Sequence, residues 1–281
     1  LSPSRAEAWL SRSLAWVAGS AVALLALIFL FLITESLPAL VDGHWLRFFN
    51  SSGWFPSAGE FNLWPMLLAT VLATLGALVL AVPMGLASAF FVSFCAPPRL
   101  ADMYQRLLML LAGIPSVVYG LWGLTVLVPM IAEVAPPGAS LLSAILILAI
   151  MILPTVALTS DAALRAVPVS YWRGGQALGL SSQTILLKIA LPAARTGIFT
   201  GILLATTRAL GETMAVLMVA GNVVQVPGSL LDSVRVLTAN IALEMAYATD
   251  AHKASLYVSS LLLTLVVVMI VALGRRLEAR S

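Results

Sequence analysis

Long stretches of this chain carry no charged side chain, and that property limits the fold more than any motif. Such stretches run from Arg12 to Glu35, Glu60 to Arg99, Arg106 to Glu133, Glu133 to Asp161 and Lys253 to Arg275. The stretch from Thr196 to Leu231 is interrupted only by Arg208 and Glu212. A spanning helix needs about 20 mainly apolar residues, and an ionised group at the bilayer centre costs roughly 2.5 kcal/mol or more. Charges therefore mark span ends, and six spans are predicted, at about 14–34, 63–94, 107–132, 140–160, 197–221 and 255–274. With 61% hydrophobic and 10% charged residues and a mean hydropathy of +1.04, the chain cannot cover itself with polar surface in water. It is also far too apolar for disorder. Continuous apolar runs exclude a membrane barrel, whose strands alternate. A net charge of +3 without a run of basic residues leaves no footprint for nucleic acid. The single cysteine, Cys95, excludes an intrachain disulfide and a multi-cysteine metal centre. The fold class is all-α: a polytopic membrane bundle of about six transmembrane helices.

Basic residues orient the spans. If both termini are cytoplasmic, the inner segments hold Arg5, Arg12, Arg99, Arg106, Arg165, Arg173, Lys188, Arg195, Arg275, Arg276 and Arg280, and the outer ones only Arg47, Arg235 and Lys253. The stretch 13–34 is longer than a signal core and lacks a small-x-small cleavage site before Glu35, so an uncleaved first span is expected. Residues 1–62 then form an N-terminal transmembrane helix and a periplasmic loop rich in aromatics (Trp45, Phe48, Phe49, Trp54, Phe55 and Phe61). These rings are expected at headgroup level, as an interfacial belt. Residues 63–281 hold the other spans, with a cytoplasmic segment at about 161–195 and a periplasmic one at about 222–253. The latter contains LLDSVRVLTANIALEMA, whose spacing predicts an amphipathic helix lying on the membrane or against an outside partner. Pro65, Pro83, Pro115, Pro129 and Pro154 fall within or at the ends of spans, where each removes a helix hydrogen bond.

Arg208 and Glu212 are the charges out of place. Four residues apart in the fifth span, they share a face of a continuous helix and can pair, and at that depth they must face protein or a water-filled cavity. Either Arg208 lines an anion route while Glu212 tempers its charge, so that binding stays weak enough for release, or the two form a plain ion pair that holds the bundle. Thr200, Thr206, Thr207, Thr213 and Asn222 lie around them, and each threonine can donate to a desolvated oxyanion or bond its own helix carbonyls. Gly197 and Gly201 form a GxxxG step suited to close helix packing. Ser116, Tyr119 and Trp122, beside Pro115, line a pathway or pack. The only histidines, His44 and His252, are too few for a metal cluster. No phosphate-cradling GxxxxGK[ST] loop and no HExxH occurs, and no catalytic triad can be assembled. The chain is therefore expected to be no enzyme, with no catalytic or metal-binding residues and no cofactor of its own, and active transport needs energy from a partner or an ion gradient.

The inner segment VPVSYWRGGQALGLSSQTILLKIALPAARTGI reads as two short helices broken near Gly179 to Ser182 and ended by Pro192 and Gly197, a natural docking surface for a soluble motor. Here the sequence resembles a family. Gly179, nine residues, then Ile189-Ala190-Leu191-Pro192 match the G-x9-I-x-L-P part of the coupling motif of ABC importer permeases. The usual opening Glu-Ala-Ala is replaced by Arg173, Gly174 and Gly175, which removes any salt bridge of that Glu and loosens the helix start by about 1 kcal/mol per glycine. IPSVVYGLWGL from Ile114, RALGETMAV from Arg208 and MILPTVALTSDAALRAVP from Met151 are similar to the PstC family of phosphate ABC importer permeases, a likeness covering about 63–274. The resemblance implies a type I ABC importer permease fold in the bacterial cytoplasmic (inner) membrane. It implies a second, PstA-like permease, two PstB-like ATP-binding subunits carrying ATP and Mg, and a periplasmic PstS-like phosphate-binding protein. The substrate route would include Arg208, Glu212, Thr207, Thr213, Ser116 and Tyr119, and ATPase coupling would use Arg173, Gly174, Gly175, Gly179, Ile189, Leu191 and Pro192. Phosphate would cross by alternating access; the other readings are a permease for a sulfate- or molybdate-type oxyanion, an ion channel or secondary transporter subunit, and a membrane scaffold or phosphate sensor without transport.

Overall fold

The computed structural model describes residues 5–41 and 46–280, and the side chains of 9–41 and 46–276. His44, Trp45 and the side chains of Arg5 and Arg280 lie outside the described residues. Helix α1 (Arg5–Val41) is followed by the short α2 (Arg47–Asn50) and an antiparallel hairpin of β1 (Trp54–Phe55) and β2 (Glu60–Phe61). Next come α3 (Trp64–Phe90, continued by a π turn, Phe91–Cys95), α4 (Pro98–Gly113), α5 (Ser116–Trp122), a π turn (Gly123–Leu127) and α6 (Val128–Ala132). The chain proceeds through α7 (Leu141–Arg165), α8 (Val169–Ala177), α9 (Ser182–Ile185), a π turn (Leu186–Ala190) and α10 (Leu191–Gly211). It ends with α11 (Met214–Val219), α12 (Leu237–Glu244) and α13 (Asp250–Arg280). Five helical stretches are long and apolar enough to cross a membrane, and the bent pair made by α4 and α5–α6 brings the number to six.

The centre of the bundle is α3 against α7. Ala69, Ala73, Ala77 and Ala81 recur every four residues and are at most 1% exposed, so one face of α3 is a smooth stripe. A Cβ on Gly76 would meet Ile145 Cδ1 at 2.6 Å and one on Gly85 would meet Val156 Cβ at 2.8 Å. Small residues let backbones approach where lipid provides no hydrophobic drive for association. The GxxxG step of α10 works the same way, with Gly197 against Ala163 and Gly201 against Thr159 on α7. Pro129 and Pro192 each follow a π turn that contains the carbonyl four residues before them, at 125 and 188. The extra residue of a π turn accommodates the hydrogen bond that proline cannot make.

Three predicted spans are redrawn. The third, 107–132, is two helices at 91°. Ile114 takes the extended conformation (ψ 129°) that a following proline favours, and the Tyr119 hydroxyl donates to the Leu111 carbonyl at 2.8 Å across the bend. The fifth, 197–221, starts earlier and stops sooner: Ser182–Gly211 is one 30-residue stretch, running through Pro192 and Gly197 rather than ending there. Helix is then lost at Glu212 (ψ 131°) before α11. The fourth runs on to Arg165, because the Asp161 carboxylate that marked its end is neutralised by Arg165 one turn later.

Call the two ends of the bundle the α8 end and the α12 end. At the α12 end the aromatic loop folds inward: Phe48, Trp54 and Phe61 are 1%, 7% and 2% exposed and pack with Leu63, Leu237 and Leu256. The expected interfacial belt is thus a small core, and only Phe49 and Phe55 of the described loop rings, with Trp64 just beyond, are exposed. The amphipathic helix expected over 230–246 shrinks to α12, whose Leu237, Ala239 and Asn240 are fully buried. Residues before it are held extended instead, with the Asn222 amide donating to Val234 O and the Val234 amide to Ala220 O.

Candidate functional site: the α10–α11 break and the α8 hairpin

Arg208 lies in the last turn of α10, where the negative end of the helix dipole favours a cation. Half-buried, it reaches α7, its Nη1 donating to Thr155 Oγ1 at 3.2 Å. Glu212 points the other way along the chain. Its Oε1 accepts from the Ala215 amide at 3.1 Å, closing the first turn of α11, and its carbonyl accepts from Thr238 Oγ1 at 2.7 Å. Among the described residues the ion pairs are Asp161–Arg165 and Glu244–Arg235, with the His252 ring 2.8 Å from Glu244. Arg208 and Glu212 form none, which corrects the expected pairing: the helix that would align them ends between them. The result is a cation and an anion at opposite lips of a main-chain break, each stabilised by its own helix end.

The neighbouring hydroxyls are engaged locally. Thr206 and Thr207 donate to Ile202 O and Leu204 O, the back-bonding that helical threonines favour, and Thr213, in the break itself, donates to Gly211 O at 3.3 Å. Ser116 opens α5, half-buried. Tyr119 is buried and holds the bend. Gly120 brings α5 onto α11, since a Cβ there would lie 2.9 Å from Ala215 Cα. Arg208, Glu212, Ser116 and Tyr119 therefore belong to one assembly of α5, α7, α10 and α11. Asn222 lies beyond α11, donating to Leu217 O at 2.7 Å.

At the α8 end, α8 and α9 form the predicted broken pair. Gly179 has φ +68°. The Leu180 amide donates to Gly175 O and the Gly179 amide to Gln176 O, the double bond of a Schellman cap, which suits glycine. Ser181 Oγ accepts from the Thr184 amide at 3.3 Å and starts the next helix. The Arg-Gly-Gly departure divides in two. Arg173 and Gly174 are exposed, and nothing lies within 4 Å of a Cβ built on Gly174. Gly175 is buried, and a Cβ there would meet Ile185 Cγ1 at 2.7 Å and Ile189 Cδ1 at 3.4 Å. Ile189, Leu191 and Pro192 lie along the continuous helix leading into α10.

Two polar clusters escaped the sequence reading. Glu244, 7% exposed, accepts from Arg235 Nη1 at 2.6 Å and from Trp54 Nε1 at 2.7 Å, and lies 2.8 Å from His252 Nε2. Arg235 also donates to Asn222 O and Asn240 Oδ1. Nothing in the spacing of these residues announces the set. Asp161 accepts from Ser93, Gln105 and Arg165, and there the four-residue Asp–Arg spacing was a readable signal.

Residues 81–280 match the family of binding-protein-dependent transport system inner membrane components. The chain belongs to that family. It is 35% identical over 241 residues to the "Probable ABC transporter permease protein YqgH" of Bacillus subtilis, covering 84% of this chain and 78% of that one. It is 32% identical over 260 residues to the phosphate transport system permease protein PstC of Mesorhizobium japonicum (83% and 80% covered). With PstC of Pasteurella multocida it shares 31% over 282 residues (90% and 88%). Among solved structures it is similar to a chain of the inward-facing MetNI methionine ABC transporter (TM-score 0.59, 19% identity, 78% and 93% covered). It is also similar to a chain of a bacterial alginate ABC transporter (TM-score 0.62, 13%, 97% and 97%). The chain is thus an ABC importer permease subunit with the type I fold, a multi-pass inner-membrane protein and a transport subunit rather than an enzyme.

Proposed function

We propose that this permease moves inorganic phosphate inward by alternating access, with Arg208 as the cation that phosphate passes. The observation that carries this reading is a guanidinium seated at the α10–α11 break, in a chain 31–32% identical to PstC proteins over most of its length. The helix dipole accounts for a cation at the end of α10, and the break beside it leaves that cation open to an anion. Its bond to a neutral Thr155 leaves the charge uncompensated by a carboxylate, yet the anion at the opposite lip keeps the local field moderate and binding reversible. Ser116 and Tyr119 line the same assembly, and Thr207 and Thr213 offer oxygens that shift partner when the helices move.

The α8 end is cytoplasmic in this reading, following the distribution of basic residues, and the α12 end periplasmic. The α8–α9 hairpin, from Arg173 through Gly179 to Ile189, Leu191 and Pro192, docks a PstB-like ATPase that carries ATP and Mg. A PstA-like permease completes the pathway, and a PstS-like receptor delivers phosphate. The test is ATP-dependent phosphate uptake in proteoliposomes holding all four components. Arg208→Gln should abolish uptake, by roughly 100-fold or more if the cation acts mainly on the moving anion, with the complex still assembled. Normal uptake in that variant refutes the role of Arg208, and uptake of sulfate or molybdate in place of phosphate refutes the substrate.

A further inference from the structure

We propose that Phe94 and Asp161 are positioning residues that carry the displacement of α8 to α4, and through the α4–α5 bend to the break beside Arg208. This rests on the reading that α8 docks an ATPase. Trp172 of α8 lies against Phe94, with ring centroids 5.0 Å apart at 33°. Phe94 belongs to the π turn that ends α3, so a coupling helix on one side touches an irregular helix turn on the other. The neighbouring residue of that turn, Ser93, donates to Asp161 Oδ1 at 2.6 Å. Gln105 of α4 donates to Oδ2 of the same carboxylate at 2.5 Å, and Arg165 Nε lies 3.0 Å from both oxygens.

One carboxylate, 8% exposed, therefore joins α3, α4 and α7 immediately before the chain enters α8. All its bonds are charge-assisted, the stronger class, so the three elements move together rather than slide. The Ser88 and Tyr104 hydroxyls, 3.0 Å apart, and the edge contact of Phe91 with Tyr104 fasten α4 to α3 beside it. At its far end α4 is fastened to α5 by Tyr119, and α5 packs through Gly120 on α11. Helix α4 is thus a lever, joined at one end through Asp161 and the π turn to α8 and at the other through α5 to α11. The π turn supplies the element with two arrangements, since returning it to α pitch rotates Ser93 and Phe94 together.

The experiment uses the whole complex, with the chain, second permease, two ATPases and the receptor, and inorganic phosphate as the probe. Four quantities are read: ATPase retained on co-purification, basal ATP hydrolysis, hydrolysis stimulated by phosphate-loaded receptor, and uptake. Phe94→Ala should retain the ATPase and basal hydrolysis while stimulation and uptake fall about fivefold or more, within the range that residues along a coupling route command. Phe94→Tyr should restore both, and Phe94→Ala with Trp172→Ala should be no worse than the larger single effect, because the two act on one route. Asp161→Asn should uncouple similarly; if it fails to assemble, Gln105→Ala takes its place. Stimulation within about twofold of the parent in an intact Phe94→Ala complex overturns the proposal, being smaller than any coupling effect of note. Failure of the parent chain itself to retain the ATPase overturns the docking reading instead, which separates the two.

Discussion

Replacing Glu244 by alanine should unfasten the α12 end. The carboxylate holds Arg235 from the 222–236 segment, Trp54 from the β hairpin and His252 from the first turn of α13. The side chains of Glu244, Arg235 and His252 are 9%, 18% and 13% exposed, so the lost acceptor is replaced by water only in part. Removing one partner of a buried ion pair costs about 3–5 kcal/mol. Arg235 keeps its bonds to Asn222 O and Asn240 Oδ1, which places the cost near the lower limit, about 3 kcal/mol. At about 2–4 °C per kcal/mol for a chain of this size, the melting temperature of the purified protein in detergent should fall by about 6–12 °C. Glu244→Gln should lose less, since its amide oxygen still accepts from Arg235. Trp54→Phe combined with Glu244→Ala should cost less than the two separate losses added together, because both remove the same bond. A Glu244→Ala melting point within about 2 °C of the parent, less than 1 kcal/mol by the same scale, refutes the claim that this carboxylate ties the three elements together.

Three further outcomes test the packing and the loop. Gly201→Ala should lower the melting temperature by an amount corresponding to about 1–3 kcal/mol of overpacking, because its Cβ would lie 2.7 Å from Thr159 Cβ. Gly174→Ala, with open space around it, should be neutral or gain up to about 1 kcal/mol in helix propensity. Asp232 lies in an exposed turn where the amides of Ser229 and Gly228, then the Ser229 hydroxyl, hold its carboxyl below the ordinary carboxylate value. A lowered folded value means that the turn is stabilised above the unfolded pKa and loses that support as pH falls from about 4 through the folded value. Protection of the Gly228 and Ser229 amides, taken as exchange relative to the intrinsic rate at each pH, should fall in that window, and Asp232→Asn should flatten the dependence; protection that ignores pH in the parent contradicts the assignment.

Hydropathy located apolar length well and direction poorly. The span at 63–94 is met by Trp64–Cys95, and those at 14–34 and 255–274 lie inside longer helices. The bend at Pro115 has uncharged, mainly apolar residues on both sides, so no sliding count registers a 91° turn. Glu212 shares a helical face with Arg208 only while the helix continues, and its departure is stabilised by the Ala215 amide three residues on and by the Thr238 hydroxyl, which lies far off in sequence. A bare carboxylate ends a span, so hydropathy sets a boundary at Asp161, although Arg165, four residues on, is its partner. Gly179 was legible because a helix cap is a local device. The partners of Glu244 were not, because Trp54, Arg235 and His252 are brought together from three distant parts of the chain.

The pairing of α1 with α13 has a consequence for assembly. Their contact includes the edge-to-face meeting of Phe31 and Tyr257, and more than two hundred residues separate the end of one helix from the start of the other. During synthesis α1 therefore enters the lipid long before its neighbour exists and must persist there unaccompanied. A helix apolar on every side meets that demand, and α1, whose most apolar window has no buried residue even in the finished bundle, is such a helix. Its surface is shaped for the time spent waiting as much as for the contact that ends it.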